Sequence, residues 1–461
     1  MEVSILGGGI AGLSAGWALS DKNVSVTVIE KEKTLGGLAR SFTRNGYTYD
    51  LGGHRFFTQN ENLISTLKEL LGENICVMPR KSAIYLKNRF FGYPPQMKEV
   101  LSKMPPHLSA KIVLSYLKAA VSSRIRPKAD KSFEDWIVNR FGRSMYDFYF
   151  GPYTEKVWGT SPSEISADWA AQRITVVSLL DAVKNTLSNV EDGPRTYARE
   201  FYYPERGGIA SISNALADRI REKSGKIRTD CSVTEVHVSG DRVDSIVCNG
   251  GEDELQPDYV VNSIPLTSLI RAIRPEVPDS VAEAASRLKY RSCVFVYISL
   301  DKPEISDNTW LYLPERNILA NRINETNKFS RYNAPEGKSL LNVDLTCNKD
   351  DLLWDTPDDR LIGRCISDFE RIGLLTEDDV DSAWVEREEH CYPLYTLDYR
   401  KNLDVVLDYL GGIRNLSTIG RNGLFRYNNM DHSLEMGLTA GQNIASTGES
   451  HIKYESVFNA V

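Results

Sequence analysis

The stretch Glu2-Val3-Ser4-Ile5-Leu6-Gly7-Gly8-Gly9-Ile10-Ala11-Gly12 decides the fold. Its first five residues read as a short buried strand, and residues 13–20 continue as a helix. The glycines between them have separate roles. Gly7 permits the tight turn, Gly9 lets a pyrophosphate approach the backbone, and Gly12 lets helix and strand pack closely. The free N–H groups at the helix start then face the anion. Residues 23–30 alternate and are β-branched, so they form a second strand and complete a βαβ unit. Glu30 ends that strand, 18 residues after Gly12. A carboxylate there accepts hydrogen bonds from ribose hydroxyls and disfavours a 2′-phosphate. A Rossmann-like, dinucleotide-binding domain of the α/β class is expected.

Working outward, 461 residues are more than one hydrophobic core usually spans, so two domains are expected. A net charge of −7 argues against a nucleic-acid footprint. It says little about a small anionic substrate, because a few local arginines overrule a mild global charge. Seven scattered cysteines, with no CxxC pair, make neither a disulfide framework nor a zinc site. Reduced, mostly buried thiols in a cytoplasmic protein, with no metal, are the expectation. The apolar start lacks a basic flank and is broken by glycines, so it is not read as a signal peptide. No run of about 18 apolar residues predicts a membrane span.

Further along, residues 60–75 form an amphipathic helical pattern, and 83–91 a hairpin turning near Asn88. The stretch 95–187 is mainly helical in pattern. Strands are expected within 226–248, around a Ser-Gly-Asp turn, and at 259–264, 293–300, 310–313, 340–345 and 416–420. A last helix is expected at 431–445, capped by Asn429 or Asp431. These elements suggest a discontinuous nucleotide domain (1–75, 200–265 and 405–461). An inserted helical segment (76–199) and a mainly antiparallel sheet (266–404) would together make the substrate domain.

Gly36-Gly37-Leu38-Ala39-Arg40-Ser41 places a second glycine pair soon after Glu30. It resembles a motif of the FAD-dependent amine oxidase and glutathione reductase superfamily. Thr418-Ile419-Gly420-Arg421 resembles that superfamily's final FAD motif, and Val233 its adenine-side contact. The resemblance implies FAD as cofactor, with Gly37, Arg40, Gly420 and Arg421 beside it. Arg40 would meet the pyrophosphate through charge-assisted bonds. The helix after Asp431 would turn its positive end toward the flavin.

The middle of the chain resembles the UDP-galactopyranose mutase family. The matching stretches are Leu51-Gly52-Gly53-His54-Arg55-Phe56-Phe57, Tyr93-Pro94-Pro95-Gln96, Gly151-Pro152-Tyr153-Thr154-Glu155-Lys156-Val157-Trp158, Trp169-Ala170-Ala171-Gln172-Arg173, Trp310-Leu311-Tyr312-Leu313-Pro314 with Arg322, Tyr392-Pro393, and Phe425-Arg426-Tyr427-Asn428-Asn429. In that family a UDP-sugar ring contracts without net oxidation. N5 of the reduced flavin is the nucleophile at the anomeric carbon, and UDP leaves and returns. The resemblance implies Arg173 and Arg322 as diphosphate clamps that help the leaving group depart. It implies Tyr312, Tyr392 and Tyr427 at the phosphates, Tyr93 and Gln96 at the uridine, and Asn429 on the phosphate side. Trp158 would be an active-site tryptophan and Phe57 a substrate contact, and His54, on the Gly53 loop, would lie beside flavin N5. NAD(P)H, as a reductant, would have to share the flavin's pocket, since no separate nicotinamide fingerprint is present.

Three departures fall where the sugar and diphosphate should sit. Phe329 replaces a family tyrosine, Tyr332 being a candidate substitute. Tyr395 stands where proline is usual, and the loop before Asn429 is two residues shorter. They leave a UDP- or TDP-linked hexose, 6-deoxyhexose or pentose open. His432 reads as a helix-start cap or a surface residue, and Asp50 and Glu155 receive no acid–base role. A weaker resemblance to protoporphyrinogen oxidase-like and amine oxidase-like proteins keeps an FAD-dependent oxidoreductase as the rival reading. A non-catalytic, flavin-loaded partner protein is the third. A homo-oligomer stays open.

Overall fold

Five strands of apolar sequence come together as the central sheet, in the spatial order Leu416–Thr418, Tyr259–Asn262, Glu2–Leu6, Ser25–Ile29 and Lys226–Arg228. Every neighbouring pair is parallel. Parallel sheets are covered on both faces, which is why Val3, Ile5, Leu6, Val26, Val28 and Ile29 are all buried. In this computed structural model the described residues are 1–93, 97–125, 128–174, 200–251 and 253–448. The expected second half of the helical segment, 175–187, lies outside them.

The helix Ile10–Asp21 crosses from the first strand to the second and packs against both Ala210–Glu222 and the C-terminal helix Met430–Thr447. The first and the last described helices meet closely. A methyl group on Gly437 would lie 2.0 Å from Ser14 Oγ and 2.3 Å from the Ala11 carbonyl.

A second core lies under the same sheet. Its four-stranded sheet runs in the order Asp253–Leu255, Arg242–Cys248, Val233–Ser239, Ile273–Arg274. Val236 and Ile246 from that sheet pack with Leu269, Val281, Leu403 and Val406 and with Val260 and Leu416 of the central one. Residues 266–288 therefore pack on the nucleotide side, not in the substrate sheet where the sequence pattern suggested. The spacing of Val281, Ala284 and Ala285 gives the helix Asp279–Arg287 a face that closes on Tyr399–Gly411.

The largest sheet has seven strands, ordered Val380–Pro393, Tyr290–Leu300, Ser339–Cys347, Arg322–Glu325, Trp310–Tyr312, Ser82–Leu86, Arg89–Gly92. The last two are the expected hairpin. Its two-residue turn, Lys87-Asn88, has φ of 54° and 58°, the left-handed geometry that matches strand twist. The hairpin joins the sheet through a parallel pairing of Ser82–Leu86 with Trp310–Tyr312. Residues from both halves of the expected substrate domain thus build one sheet. The helix Asp358–Arg371 covers one face through Leu361, Cys365 and Phe369. Pro106–Ile125, Phe133–Phe141, Gly151–Trp158 and Ala167–Arg173 share a further core with Ile84 and Phe91.

All seven cysteines are free thiols, six of them buried. Among the described residues no cluster of His, Cys, Asp or Glu could hold a metal ion. No described helix is long and apolar enough to cross a membrane.

Candidate functional site

A cleft of about 400 Å³ opens at the carboxyl ends of the first two strands. That is where parallel sheets of this kind hold ligands. At one end stand Glu30 and Val233, in the middle Gly7, Gly9, Gly37 and Arg40, and at the other His54, Gly420, Arg421 and Asn429.

The first half has the chemistry of a nucleotide site. Gly12 lies behind it: a methyl group there would stand 2.1 Å from the Gly7 carbonyl, so only glycine lets the helix start this close to the turn. Gly9 caps that helix with no side chain, leaving its first-turn N–H groups for a ligand. The buried Glu30 carboxylate accepts from the N–H of Gly8 at 2.8 Å and of Glu32 at 2.9 Å. It thus fixes the glycine turn and still has lone pairs for hydroxyl donors. Arg40 is committed more than expected, since its guanidinium contacts Glu388 and stands 3.5 Å from Glu32.

At the far end Arg421 donates to the carbonyls of Asn428 and Cys391, the latter at 3.1 Å. Its guanidinium lies over the rings of Tyr427 (5.0 Å) and Tyr392 (5.4 Å). Asn429 caps Met430–Thr447, and its backbone N–H donates to His432 Nδ1 at 3.3 Å. His432 is a capping residue, as its position in the sequence suggested. The start of that helix borders the cleft through Asn429, Met430 and Ser433.

A dinucleotide fits this cleft on three observations: a carboxylate at one end, an uncapped helix start in the middle, and a second helix start with a nearby guanidinium at the other. FAD would be held by Glu30 and Val233 at the adenosine, Gly9 and Gly37 at the pyrophosphate, and His54, Gly420 and Arg421 toward the flavin.

Beyond His54 the seven-stranded sheet and the helical segment bring arginine and tyrosine side chains together. Burial, together with Arg421 and Arg322, pushes the His54 imidazole down to about 3, so it is neutral at physiological pH. Arg322 donates through Nε to Asp344 at 2.6 Å, and its second nitrogen contacts the same oxygen. Burial opposes its charge. Asp344 and the tyrosines Tyr392, Tyr312 and Tyr153 outweigh that and hold it well above the usual arginine range.

Tyr312 pairs with Arg322 across adjacent strands. Its ring stacks on Tyr93 at 4.7 Å and meets Tyr153 edge-on at 6.2 Å. Tyr392 stacks on Tyr427 at 5.6 Å. Trp158 is buried and meets Trp169 at 4.7 Å and Tyr392 at 6.2 Å. Phe57 lies near the Arg55 guanidinium.

The structure brings most of the expected residues to one connected site, with some exceptions. Gly53 does not border the cleft, and a methyl there would meet Asn324 Oδ1 at 2.6 Å. Gln96 lies outside the described residues. So does the side chain of Arg173, whose backbone closes the helix Ala167–Arg173. Phe329, buried against Trp310, Phe201 and Tyr203, belongs to a packed aromatic cluster. Tyr332 lies between Arg206 and Arg331, and its hydroxyl accepts from Arg331. Tyr395 supports the local backbone, since its hydroxyl accepts the Tyr427 N–H at 2.9 Å.

Asp50 is held by Ser41, Tyr203 and the Ile209 N–H, and Glu155 pairs with Arg316. Tyr153, Arg55, Asp344 and Glu388 were not singled out from the sequence. Tyr153 and Arg55 sit inside quoted motifs, whereas nothing local marks Asp344 or Glu388.

A cleft with a carboxylate, a glycine turn and two helix starts, set at the carboxyl ends of a parallel sheet, is that of an FAD-binding flavoprotein. The chain belongs to the flavin containing amine oxidoreductase family, whose model matches residues 10–417. It is similar to the coproporphyrinogen III oxidase of Mycobacterium leprae, 25% identical over 415 residues that make 83% of this chain and 86% of that protein. The protein of the same name from Staphylococcus aureus is 21% identical, covering 86% and 88%. Among solved structures, a reduced UDP-galactopyranose mutase superposes with a TM-score of 0.84 at 25% identity, covering 99% of this chain and 97% of that one. A redesigned putrescine oxidase at 16% identity shares the fold, with a TM-score of 0.66 and 96% and 98% coverage.

Proposed function

We propose that this flavoprotein interconverts the pyranose and furanose forms of a nucleotide-linked sugar, UDP-galactose being the first candidate. The observation that carries the reading is the gathering of Arg322, Tyr312, Tyr392 and Tyr427 beside His54 and Arg421, a set of side chains suited to the phosphates of a nucleotide sugar. Bound FAD, in its reduced form, would supply the nucleophile for the anomeric carbon.

The chain's own residues would do the rest. Arg322, still offering Nη1 after pairing with Asp344, would bind a diphosphate oxygen and stabilise charge on the departing UDP. Tyr312, Tyr392 and Tyr427 would donate hydroxyl hydrogen bonds to the phosphates, and the Tyr93 ring would stack at the base. His54, neutral, would offer a hydrogen bond near the reacting centre without adding charge. Arg173, at the end of its helix, would close the clamp. NAD(P)H as reductant would reach the flavin at the same site.

Support comes from the 0.84 superposition on reduced UDP-galactopyranose mutase across almost the whole of both chains. A second reading, an FAD-dependent oxidase, is favoured by the names of the sequence relatives. One anaerobic assay separates them. The protein is reduced with dithionite and given UDP-galactofuranose, and the sugar nucleotides are resolved by chromatography. Conversion to the pyranose form, absent with oxidised protein, is expected. No conversion, together with substrate-dependent peroxide formation from coproporphyrinogen III in air, would give the site to the oxidase.

A further inference from the structure

Arg55 follows His54 directly and has no assigned part in the site. Its guanidinium lies 4.2 Å from the centre of the Trp310 ring, with Phe201 at 5.7 Å and Phe57 at 6.0 Å. Among the described residues no carboxylate pairs with it and no group accepts a hydrogen bond from it. Burial acts on it most strongly. Of the charged groups acting on it, Arg80 and Arg322 carry the same sign, and the tyrosines Tyr312 and Tyr93 stand close by. Burial and the two arginines, opposed by the tyrosines, push the guanidinium down to about 10, so it stays charged at neutral pH.

The neighbouring arginines are differently placed. Arg322 has Asp344, Arg421 has two backbone carbonyls, and Arg40 has Glu388 and Glu32. A ring stacked on a guanidinium takes its face and leaves the N–H edge for acceptors. A half-buried cation with like charges nearby and no counter-charge destabilises the empty site. A ligand that brings negative charge removes that cost, and its binding is strengthened accordingly.

We propose that Arg55 is the principal anion-receiving group of this arginine and tyrosine cluster and sets its preference for an acidic substrate, holding an oxygen of the substrate's diphosphate. This rests on the nucleotide-sugar reading for the identity of the anion, but the carboxylates of a porphyrinogen would offer the same chemistry. Arg322, tied to Asp344, is the secondary contact. Arg55 thereby selects the charged ligand over its neutral counterpart, while the stacked tyrosines read the rest.

The test uses the full-length, FAD-loaded protein and two variants. Arg55→Met removes the charge and keeps an apolar chain against Trp310. Arg55→Lys keeps the charge and loses the planar fork. Calorimetric binding of UDP and uridine is measured alongside unliganded thermal unfolding. Arg55→Met is expected to weaken UDP at least 10-fold, leave uridine unchanged, and leave the unliganded melting temperature unchanged or higher. Arg55→Lys is expected to fall between.

Undiminished UDP affinity in Arg55→Met overturns the proposal and leaves the mutase reading intact. A lower melting temperature with parallel loss of UDP and uridine makes Arg55 a structural residue, which also overturns it. If the unsubstituted protein binds no UDP, the nucleotide-sugar reading fails on its own. Coproporphyrin III then replaces UDP as the probe. Weaker binding in Arg55→Met supports the role of Arg55, and equal binding overturns it. Should Arg55→Met fail to fold, the same comparisons are decided by Arg55→Lys.

Discussion

Replacing Glu30 with alanine tests the nucleotide half of the site most directly, because two effects of that carboxylate separate experimentally. Inside the protein it accepts the N–H groups of Gly8 and Glu32 at 2.8 and 2.9 Å. Removing it strands one buried and one part-buried backbone donor, at roughly 1–3 kcal/mol for the buried one and less for the other. Toward the ligand, a carboxylate accepting ribose hydroxyls makes charge-assisted bonds of about 1.5–3 kcal/mol. The turn effect weakens any flavin that uses the cleft, but the ribose effect touches only one carrying adenosine.

Glu30→Ala is therefore expected to raise the dissociation constant for FAD by about 30- to 1000-fold, equivalent to roughly 2–4 kcal/mol. It should raise that for FMN by a clearly smaller factor. Both constants follow from titrating apoprotein with each flavin and reading fluorescence quenching. Equal losses for FAD and FMN would show that Glu30 only props the turn. The placement of the adenosine at the Glu30–Val233 end would then be wrong.

Asp344→Asn should destabilise the protein by about 2–3 kcal/mol. That is somewhat less than the roughly 3–5 kcal/mol of breaking a fully buried pair, because the Arg322 side chain is 24% exposed. Saturating UDP should restore part of the loss in denaturant unfolding, its phosphate replacing the missing carboxylate, and no recovery would remove Arg322 from the phosphate site. His54 has a folded value of about 3, below the unfolded value near 6.5, so its contribution to stability is intact above pH 6.5. It declines as pH falls from about 6.5 toward 3, where the unfolded chain binds the proton first. Unfolding free energies of the native protein and of His54→Gln at pH 7 and pH 5 should diverge toward the acid side, by up to about 1.4 kcal/mol per pH unit. Parallel pH profiles would show that His54 titrates normally.

Several candidate site residues were legible in the sequence because their signal is local. A glycine turn is readable where the backbone itself must bend or approach a ligand, as at Gly7, Gly9 and Gly12. Glu30 is readable because a short strand fixes its distance from that turn. His432 announces a helix start by its place three residues after Asn429. The hairpin around Lys87-Asn88 is set by the twist of its own two strands. The tyrosines and arginines beside His54 were reached through likeness to a family, not through spacing, since they come from strands and helices hundreds of residues apart.

The strand Val380–Pro393 shows where local reading stops. Its charged run Glu386-Arg387-Glu388-Glu389 has no apolar alternation, yet it pairs along Tyr290–Leu300, and Glu388 reaches Arg40. The same strand carries Tyr392 to the arginine and tyrosine cluster. Sequence alone determined the βαβ nucleotide unit, its acid and the capping of the last helix, because each depends on neighbours within a turn or a strand.

Tertiary structure decided which charges are neutralised. It tied Arg322 to Asp344 and Arg40 to Glu388, and left Arg55 on Trp310 with no carboxylate among the described residues. It also made His54 neutral by burying it near two arginines. A charge pair and a pKa depend on distance and burial, and residues far apart in the chain acquire both only when the sheets assemble.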